Sequence, residues 1–343
     1  MNVLACADKF RSTLSAPQFS AAVAAGLAKE TQRQRGWDVC SQPMADGGEG
    51  TLAAFGGANR RTRVTGPRGR PVEAPWRYSA GLAVIEMALA SGLELAGGAS
   101  GNEPMSATTA GTGELIGHAL DAGADTIVVG LGGSATTDGG QGALDALQRF
   151  GSRSRLSSVD LQVLCDVQTP FVEAAAVFGP QKGASPAEIR QLTRRLALLA
   201  TVYAEEYGVE VAAMPGTGAA GGLAGGLVAI GGRIVPGASA IAEVVGLRAQ
   251  MERADLVITG EGRVDRTSFD GKVVGTVIDC AAAVEPPVPV LVIGGRVDTD
   301  AVAVLDAAGV RWVDLSAEFG EDVAMNDTAS AVAWVVERVA ATM

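Results

Sequence analysis

The stretch of sequence that decides the fold reads Asp46-Gly47-Gly48-Glu49-Gly50. It comes after the apolar run at residues 37–44 and before residues 51–55, a pattern typical of a buried strand that leads into a helix. Glycine lets the backbone turn with positive φ and approach a ligand closely, while the start of a helix presents free amide groups to an anion. The stretch therefore predicts an anion-binding turn at the carboxyl end of a strand.

Two later loops repeat this plan. Residues 132–140 and 260–265 place acidic and small side chains among glycines, in each case after an apolar run and ahead of a predicted helix. Because ligands bind where several such loops meet, the three loops together predict one anionic ligand site built from separate segments.

Apolar runs alternate with helical patterns at both ends of the chain. Residues 2–7 predict a first strand, and a helix is predicted to begin after Ser15, with Pro17 in its first turn. Near the C-terminus, strands are predicted at 255–259, 290–293 and 311–315, with helices at 272–284 and 300–308. This alternation is typical of a doubly wound parallel sheet.

The middle of the chain has a different pattern of predicted secondary structure. Prolines separate extended segments between residues 61 and 90 that resemble antiparallel strands. We therefore predict a two-domain α/β fold, in which a discontinuous Rossmann-like parallel-sheet domain (1–65 plus 250–343) carries an inserted second α/β domain of mixed sheet (66–249). The ligand cleft is expected between the two domains.

Charge and composition exclude several classes of function. The 343-residue chain has a net charge of −11, and its basic runs are short, such as residues 60–63, which we interpret as a solvated loop. We expect no nucleic-acid partner, because such partners require a basic surface. We expect no membrane span and no export signal, since charged residues interrupt the early apolar run. Four widely separated cysteines indicate reduced thiols and predict a cytoplasmic protein.

The chain has one histidine, His118, which lies on a predicted helix over residues 109–122 beside apolar neighbours. This placement favours a structural role. A single histidine excludes metal sites built from several histidines and makes Ser/His/Asp or Cys/His catalysis depend on this one residue.

Known nucleotide-binding motifs fit the chain poorly. No P-loop is present, because Arg266 occupies the position of the first glycine required before Gly271-Lys272. The dinucleotide fingerprint at residues 216–221 follows Pro215 rather than a clean strand end, so an NAD-binding oxidoreductase is a weak alternative. Phosphoryl transfer fits better, because it needs carboxylates for Mg²⁺ and cations for phosphates. An enzyme that acts on sugars or organic acids without a nucleotide stays open.

Six segments in order closely resemble the type I glycerate kinase family. They are CADKFRSTL (6–14), PMADGGEGT (43–51), GLGGSATTDGG (130–140), FGPQKGA (178–184), GTGAAGG (216–222) and VITGEGRVDRTSFDGK (257–272). The resemblance implies a kinase that uses ATP and Mg²⁺ to phosphorylate D-glycerate, commonly at the 2-hydroxyl. Departures from the family pattern at Ala7, Arg11, Ser12 and Thr267, and a short segment at 150–161, keep a related small hydroxy acid open as the substrate.

Catalytic roles are predicted for Asp46, Asp138, Lys182 and Asp166. Asp46 and Asp138 are the predicted Mg²⁺ ligands or the base that orients the substrate hydroxyl, and for both the alternative is a carboxylate that caps a helix. Lys182 is predicted to bind phosphate. Substrate or phosphate contacts are predicted for Asp8, Lys9, Arg11, Gly47, Gly48, Glu49, Ser134, Thr136, Thr137, Gly216, Gly218, Glu261, Arg263, Asp265 and Lys272.

Several of these predictions have structural alternatives. Glu261, Asp265 and Lys272 could form salt bridges that hold their loop, and Arg11 could be a solvent-facing charge rather than a ligand of the glycerate carboxylate. The expected partners are glycerate and ATP, and a homodimer stays open.

Overall fold

The structure is a computed structural model that describes residues 1–10, 13–31, 36–151 and 153–343. The strands are β1 (Asn2–Ala5), β2 (Asp38–Ser41), β3 (Arg60–Thr65), β4 (Pro71–Ser79), β5 (Leu82–Glu86), β6 (Thr126–Gly130), β7 (Asp160–Leu164), β8 (Arg233–Val235), β9 (Leu256–Val264), β10 (Val290–Val297) and β11 (Arg311–Asp314). The helices are α1 (Ala16–Thr31), α2 (Thr51–Ala54), α3 (Ala88–Ser91), α4 (Gly98–Gly101), α5 (Ala110–Asp121), α6 (Gln141–Arg149), α7 (Arg153–Leu156), α8 (Ala174–Phe178), α9 (Pro186–Tyr207), α10 (Leu223–Ala229), α11 (Gly237–Val244), α12 (Leu247–Met251), α13 (Val273–Ala282), α14 (Thr299–Ala307), α15 (Leu315–Phe319), α16 (Glu321–Asn326) and α17 (Thr328–Ala340). Short 3-10 turns lie at Phe171–Glu173, Pro180–Lys182, Ala219–Gly222 and Arg266–Phe269.

The chain divides into two compact units. Unit 1 comprises Met1–Asp46 and Gly237–Met343, and unit 2 comprises Gly47–Pro236. The sequence predicts boundaries at 65/66 and 249/250, whereas the units divide after Asp46 and after Pro236. In the structure residues 65 and 66 lie where β3 turns into β4 within unit 2, and the amide of Gly66 donates to the carbonyl of Arg70 at 2.7 Å. The prolines that begin to separate extended segments at this point of the sequence therefore mark the β3–β4 hairpin.

Unit 1 contains a five-stranded sheet in the order β11-β10-β9-β1-β2. Every neighbouring pair in it is parallel. The carboxyl ends of these strands consequently lie at one edge, which is where open α/β sheets bind ligands. Apolar side chains fill the core beneath the helices, and the rings of Phe10 and Phe19 stack at 5.4 Å between centroids.

Helix α1 begins where the sequence predicts. The amide of Gln18 donates to the hydroxyl of Ser15 at 3.4 Å, and the amide of Ser15 donates to the Gln18 side chain at 2.9 Å. This reciprocal pair satisfies two amide groups that have no partner within the helix. The same arrangement starts α9, where Ser185 and Glu188 form a capping box and Pro186 occupies the first turn.

Unit 2 contains a six-stranded mixed sheet in the order β3-β4-β5-β6-β7-β8. The pairs β3–β4 and β4–β5 are antiparallel, while β5, β6, β7 and β8 run parallel. One parallel and one mixed sheet confirm the predicted two-domain α/β fold class.

The basic run at residues 60–63 is not a loop, and that part of the sequence interpretation was wrong. It lies in β3, the edge strand of the mixed sheet. Val64 is buried at 3% exposure, whereas Arg61 and Arg63 are exposed, so the strand alternates between the core and solvent. Charged side chains are common on edge strands because they oppose pairing with other chains.

No helix in the described part of the chain has the length and apolar character needed to cross a membrane. The four cysteines are free, and Cys6 and Cys165 are buried while Cys40 is exposed.

Candidate active site

Three carboxylates interact at the carboxyl edge of the parallel sheet in unit 1. Asp8 follows β1, Asp46 follows β2, and Glu261 lies in β9, which is the neighbour of β1. The amide of Lys9 donates to Asp8 Oδ1 at 2.6 Å. Parallel pairing of β9, β1 and β2 thus brings together three acids that are far apart in the sequence.

Burial and like charge shift the proton affinity of two of these acids. Burial raises the pKa of Asp8 to about 7, the charges of Asp46 and Glu261 add to that rise, and the Lys9 amide and ammonium oppose it. Burial also raises the pKa of Glu261 to about 6, against a hydrogen bond from Ser268 and the charge of Lys272. One oxygen of Glu261, Oε1, is buried without a hydrogen-bond partner. Such perturbed carboxylates are typical of functional sites.

The loop after β9 is held by its own side chains. Asp265 Oδ1 accepts from the amide of Thr267 at 2.8 Å and from its hydroxyl at 2.6 Å, and these bonds hold the pKa of Asp265 below its usual value. Lys272 Nζ donates to the Thr267 hydroxyl at 2.6 Å. Arg263 forms an ion pair with Asp298 at 2.6 Å. Asp265 and Lys272 thus hold the loop through hydrogen bonds to Thr267 rather than through the salt bridge given as their structural alternative. The predicted substrate roles of Arg263, Asp265 and Lys272 stay predictions.

Arg11, predicted to bind the glycerate carboxylate, lies outside the described residues.

A buried lysine is the centre of the polar cluster in unit 2. Lys182 is 3% exposed, and its Nζ donates to the hydroxyl of Ser134 and to the carbonyl of Thr136, both at 2.7 Å. Burial lowers the pKa of Lys182 to about 7, although the charge of Asp138 opposes the change. The Phe178 ring lies 5.9 Å from Nζ. The structure thus brings three predicted site residues, Lys182, Ser134 and Thr136, into direct contact.

Asp138 holds the start of α6 and the loop before α5. Its Oδ2 accepts from the amide and the hydroxyl of Thr109, both at 2.8 Å, and from the amide of Gly142 at 3.2 Å. Its Oδ1 accepts from the amide of Gly140 at 3.1 Å. The bond from the Gly142 amide is the helix-capping contact given as the alternative role of Asp138. The same carboxylate also binds Thr109, which lies 29 positions earlier in the chain.

Thr137, next in the chain, is 1% exposed, and its hydroxyl has no hydrogen-bond partner among the described residues. A buried hydroxyl without a partner is unfavourable in the absence of a ligand or water. The predicted ligand contact of Thr137 is therefore compatible with its surroundings.

The Gly47–Glu49 part of the opening stretch packs on the ends of β6 and β7. The carbonyl of Gly47 accepts from the amide of Leu131 at 2.8 Å. Gly47 has φ of +94°, and a Cβ there would lie 2.6 Å from Cβ of Leu164. Glycine is required here because the turn needs positive φ and the contact leaves no room for a side chain. Gly48 is half-buried and Glu49 is exposed.

Two residues of this region were missed by the sequence reasoning. Glu86 is buried at the end of β5, and its Oε1 accepts from the amide of Leu52 at 2.6 Å, at the start of α2. Asn102 donates from Nδ2 to the carbonyls of Ala135 and Lys182, both at 2.9 Å. A lone glutamate directly after an apolar strand was a usable signal for Glu86, whereas no local pattern marks Asn102.

The glycine-rich segment after α9 does not form a dinucleotide-binding turn. No strand lies between Tyr207 and the 3-10 turn Ala219–Gly222, whereas that fingerprint requires a strand directly before it. The amide of Gly218 donates to the carbonyl of Thr169 at 2.9 Å, and the Cys165 thiol contacts the carbonyl of Gly216 at 3.7 Å. Asp166, half-buried after β7, is next to that thiol. Its predicted catalytic role stays a prediction.

Comparison with known proteins decides the family. The model of the glycerate kinase family matches residues 3–151 and 148–343. The chain belongs to the glycerate kinase family. Membership makes the protein an enzyme and a kinase, and it confirms the resemblance seen in the six sequence segments.

Relatives of the glycerate kinase family match nearly the whole chain. Glycerate 2-kinase of Escherichia coli (strain K12) is 38% identical over 348 residues, which cover 91% of this chain and 90% of that protein. A glycerate kinase of Halalkalibacterium halodurans is 38% identical over 343 residues, which cover 89% of this chain and 88% of that protein. A crystal structure from Salmonella typhimurium LT2, provisionally named glycerate kinase 2, has a TM-score of 0.81 at 35% identity and covers 100% of this chain and 98% of its own.

Proposed function

We propose that this kinase transfers the γ-phosphoryl group of ATP to the 2-hydroxyl of D-glycerate, giving 2-phosphoglycerate and ADP. The observation that carries the proposal is the Asp8 carboxylate, which shares the edge of the parallel sheet with Asp46 and Glu261 and has a pKa of about 7. Phosphoryl transfer to an alcohol needs a base for the hydroxyl proton and charge stabilisation for the phosphates, with little covalent chemistry by the protein.

Asp8 is the proposed proton acceptor. A general base works best when its pKa lies near the operating pH, because it is then both deprotonated and basic enough to take a proton. Burial is the largest cause that brings the pKa of Asp8 into that range. In this scheme Asp8 takes the proton of the 2-hydroxyl and the hydroxyl oxygen forms a bond to the γ-phosphorus. The bond between that phosphorus and the β–γ bridging oxygen breaks, and ADP leaves with its electron pair.

Asp46 and Glu261 fit a Mg²⁺ ion. Magnesium binds through one or two carboxylates together with the phosphates of the substrate, so a cage of three protein ligands is unnecessary. No group of three or more His, Cys, Asp or Glu suited to a metal occurs among the described residues. The buried, unpartnered Oε1 of Glu261 is the atom that fits a cation. The ion would neutralise charge on the ATP phosphates.

Asp138 is not part of this proposed metal site, although the sequence named it as a ligand. Four hydrogen bonds from protein donors already occupy its two oxygens. We propose that Asp138 fixes the loop that carries Ser134, Thr136 and Thr137, and that it acts on the reaction through them.

Lys182 is the proposed phosphate ligand of unit 2. An ammonium has three donors, of which Ser134 and Thr136 accept two, so one N–H is left for a phosphate oxygen. The unpartnered hydroxyl of Thr137 offers a second donor. A phosphate would also favour the charged form of Lys182, which burial disfavours.

The test is a direct assay of the reaction. The protein is incubated with D-glycerate, ATP and Mg²⁺, and ADP is measured by a coupled assay. Phosphorus NMR identifies the product, and addition of enolase gives phosphoenolpyruvate absorbance from 2-phosphoglycerate but not from 3-phosphoglycerate. ADP formation no greater than without glycerate would rule the proposal out.

A substrate panel separates D-glycerate from related hydroxy acids. L-glycerate, glycolate and D-lactate are compared with D-glycerate by kcat/KM under identical conditions. We expect D-glycerate to be the best substrate, because the family match covers the chain. A higher kcat/KM for glycolate or lactate would instead assign a related hydroxy acid.

A further inference from the structure

Helix α9 of unit 2 exposes a ridge of side chains along its length. The helix has 22 residues and spans about 33 Å. One side of it packs into a hydrophobic cluster of unit 2 through Leu192, Leu196 and Tyr203. On another side five exposed residues follow each other at intervals of four positions, which places them on one ridge of the helix surface. This α9 ridge consists of Arg190, Arg194, Leu198, Val202 and Glu206.

The centre of the α9 ridge is apolar and open to solvent. Leu198 is 71% exposed, more than any other large apolar side chain in the described part of the chain, and Val202, one turn later, is 39% exposed. Ridges of this kind pack into the grooves of another helix. Contact with a second helix would remove the apolar surface of both side chains from water, which is favourable.

The charges along the α9 ridge change sign across this centre. Arg190 and Arg194 precede it, and Glu205 and Glu206 follow it. None of the four forms an ion pair with another described residue, whereas Arg195 of the same helix donates to Gln141 at 3.2 Å. The two glutamates also lie in the last turn of α9, where the negative end of the helix dipole disfavours acidic side chains. The described residues of a single chain therefore leave these four charges without an ionic partner.

We propose that the α9 ridge pairs in antiparallel orientation with the α9 ridge of a second copy of this chain. A two-fold axis midway between Leu198 and Val202 sets Leu198 of one copy against Val202 of the other. The same rotation sets Arg194 of each copy against Glu206 of the other, because the two residues lie six positions from the axis on either side. A surface whose charge changes sign across its centre is complementary to itself after a two-fold rotation, which is the geometry of a closed dimer.

The charge pattern favours a second copy over other partners. A nucleic acid or an anionic membrane needs a basic surface, whereas here two arginines are matched by two glutamates. Because the contact uses one helix from each copy, its area lies at the low end for protein interfaces, and we expect a weak dimer with Kd in the micromolar range. No residue of the α9 ridge belongs to the proposed catalytic machinery, so the pairing does not depend on the proposed kinase reaction.

Sedimentation velocity over about 1–300 µM protein tests the pairing. We expect a monomer–dimer equilibrium in the wild type whose Kd rises with salt, because the proposed ion pairs lie at the surface. Leu198→Asp should raise Kd at least about tenfold, because it places a charge at the centre of the contact. Met325→Asp, at a position of unit 1 that is 58% exposed, is the matched control and should leave Kd unchanged.

Two charge variants test the orientation of the two helices. Arg190→Glu/Arg194→Glu makes both ends of the ridge acidic, and Glu205→Arg/Glu206→Arg makes both ends basic. Each variant alone should be monomeric, because like charges then meet at both ends of the contact. Their equimolar mixture should form a heterodimer with Kd within about threefold of the wild-type value, because opposite charges meet again. All four positions are exposed, and thermal unfolding of each variant measures its folding.

Three results would overturn the proposal. One is wild-type protein that stays monomeric up to about 300 µM. Another is an unchanged Kd in Leu198→Asp, which would place the dimer contact on a different surface. The third is an equimolar mixture of the two charge variants without heterodimer, which would show that the two ends of the ridge do not meet. If a charge variant fails to fold, the wild-type dimer still decides, because a Kd that does not rise with salt contradicts the proposed ion pairs.

Discussion

Each unit contains a titratable group whose pKa is about 7, the half-buried Asp8 in unit 1 and the buried Lys182 in unit 2, but the two pKa values are shifted in opposite directions. In unit 1, burial raises the pKa of Asp8 to about 7, with like charge from Asp46 adding to the shift. In unit 2, burial lowers the pKa of Lys182 to about 7, with opposite charge from Asp138 limiting the shift. Burial is the largest cause in both cases, because it disfavours whichever form is charged.

The comparison teaches that the neighbours, rather than burial, decide what each group can do. Asp8 lies close to other acids, so its carboxylate can accept a proton or bind a cation together with them. Lys182 donates to a hydroxyl and a carbonyl, and Asp138, the acid whose charge acts on it, accepts from backbone amides and the Thr109 hydroxyl. The acid centre is suited to proton transfer and the lysine to binding an anion.

The largest expected effect is that of Asp8→Asn. The asparagine cannot take the hydroxyl proton, so kcat should fall by about 10²–10⁴-fold. The melting temperature should not fall, because the change removes a half-buried charge that lies among other acids. Asp38→Asn, at an exposed position on β2, is the control and should keep full activity. A kcat within about threefold of wild type for Asp8→Asn would contradict the assignment of the base.

Lys182→Met tests the other centre. Loss of the ammonium should lower kcat/KM by about 10²-fold, with KM for ATP as the parameter most affected if Lys182 binds phosphate. Lys29→Met, at an exposed position in the last turn of α1, is the matched control. Unchanged kinetics in Lys182→Met would show that the lysine is only structural.

The stability of Lys182→Met should depend on pH in a defined direction. The folded pKa of about 7 lies below the ordinary value of 10.5, so the contribution of Lys182 to wild-type stability is greatest above pH 10.5, decreases as the pH falls from 10.5 to 7, and levels off below pH 7. The melting temperature of the variant relative to wild type should therefore be higher at pH 7 than at pH 10. Thermal unfolding at the two pH values measures it, and a difference of the opposite sign would contradict a buried, destabilised charge.

The pH dependence of kcat/KM tests the pKa of Asp8 in unit 1. Since Asp8 must be deprotonated to act, kcat/KM should rise with pH up to about pH 7. In Asp46→Asn the residual activity should reach its plateau at lower pH, because a charge that raises the pKa of Asp8 is gone. If kcat/KM of that variant reached its plateau at the same pH as in the wild type, the charge of Asp46 would not affect the pKa of the base.

Asp138→Asn is expected to have the smallest effect on the reaction. Its main effect should be on the free energy of unfolding. Asparagine keeps one acceptor oxygen but adds donors opposite backbone amides, so the variant should be destabilised by about 1–3 kcal/mol. Urea unfolding measures the loss. Asp145→Asn, exposed on the same helix α6, should change stability by less than about 0.5 kcal/mol. Equal stability of the two variants would contradict the capping role.

Much of the fold could be predicted from the sequence, because its signals are local. The capping box at Ser185 and the strand preceding the Asp46 stretch depend on residues a few positions apart, and the structure has both. The predicted burial of that strand was wrong, because β2 is an exposed edge strand. The mistaken interpretation of residues 60–63 had a physical cause. Three arginines in four positions look like solvated coil, and only the buried Val64 reveals the strand.

The contacts of the candidate site residues were not predictable from the sequence, and the roles predicted for these residues stay predictions. Asp138 was found by its position after a strand, yet its partner Thr109 lies 29 residues earlier. Lys182 was identified in a turn that suggests exposure, whereas contacts 46 and 48 residues away bury it. Long-range packing of this kind has no periodic signal, so it became visible only in three dimensions.

The contact between Gly221 and Thr136 bears on how mutational maps of this enzyme should be interpreted. A Cβ at Gly221 would lie 1.9 Å from the carbonyl oxygen of Thr136, the same oxygen that accepts from Lys182. In a saturation scan, position 221 should tolerate no substitution and score like a catalytic residue, although it has no side chain to offer a substrate. Intolerance at such a position reports the closeness of two backbones, so a search for specificity determinants should set it aside.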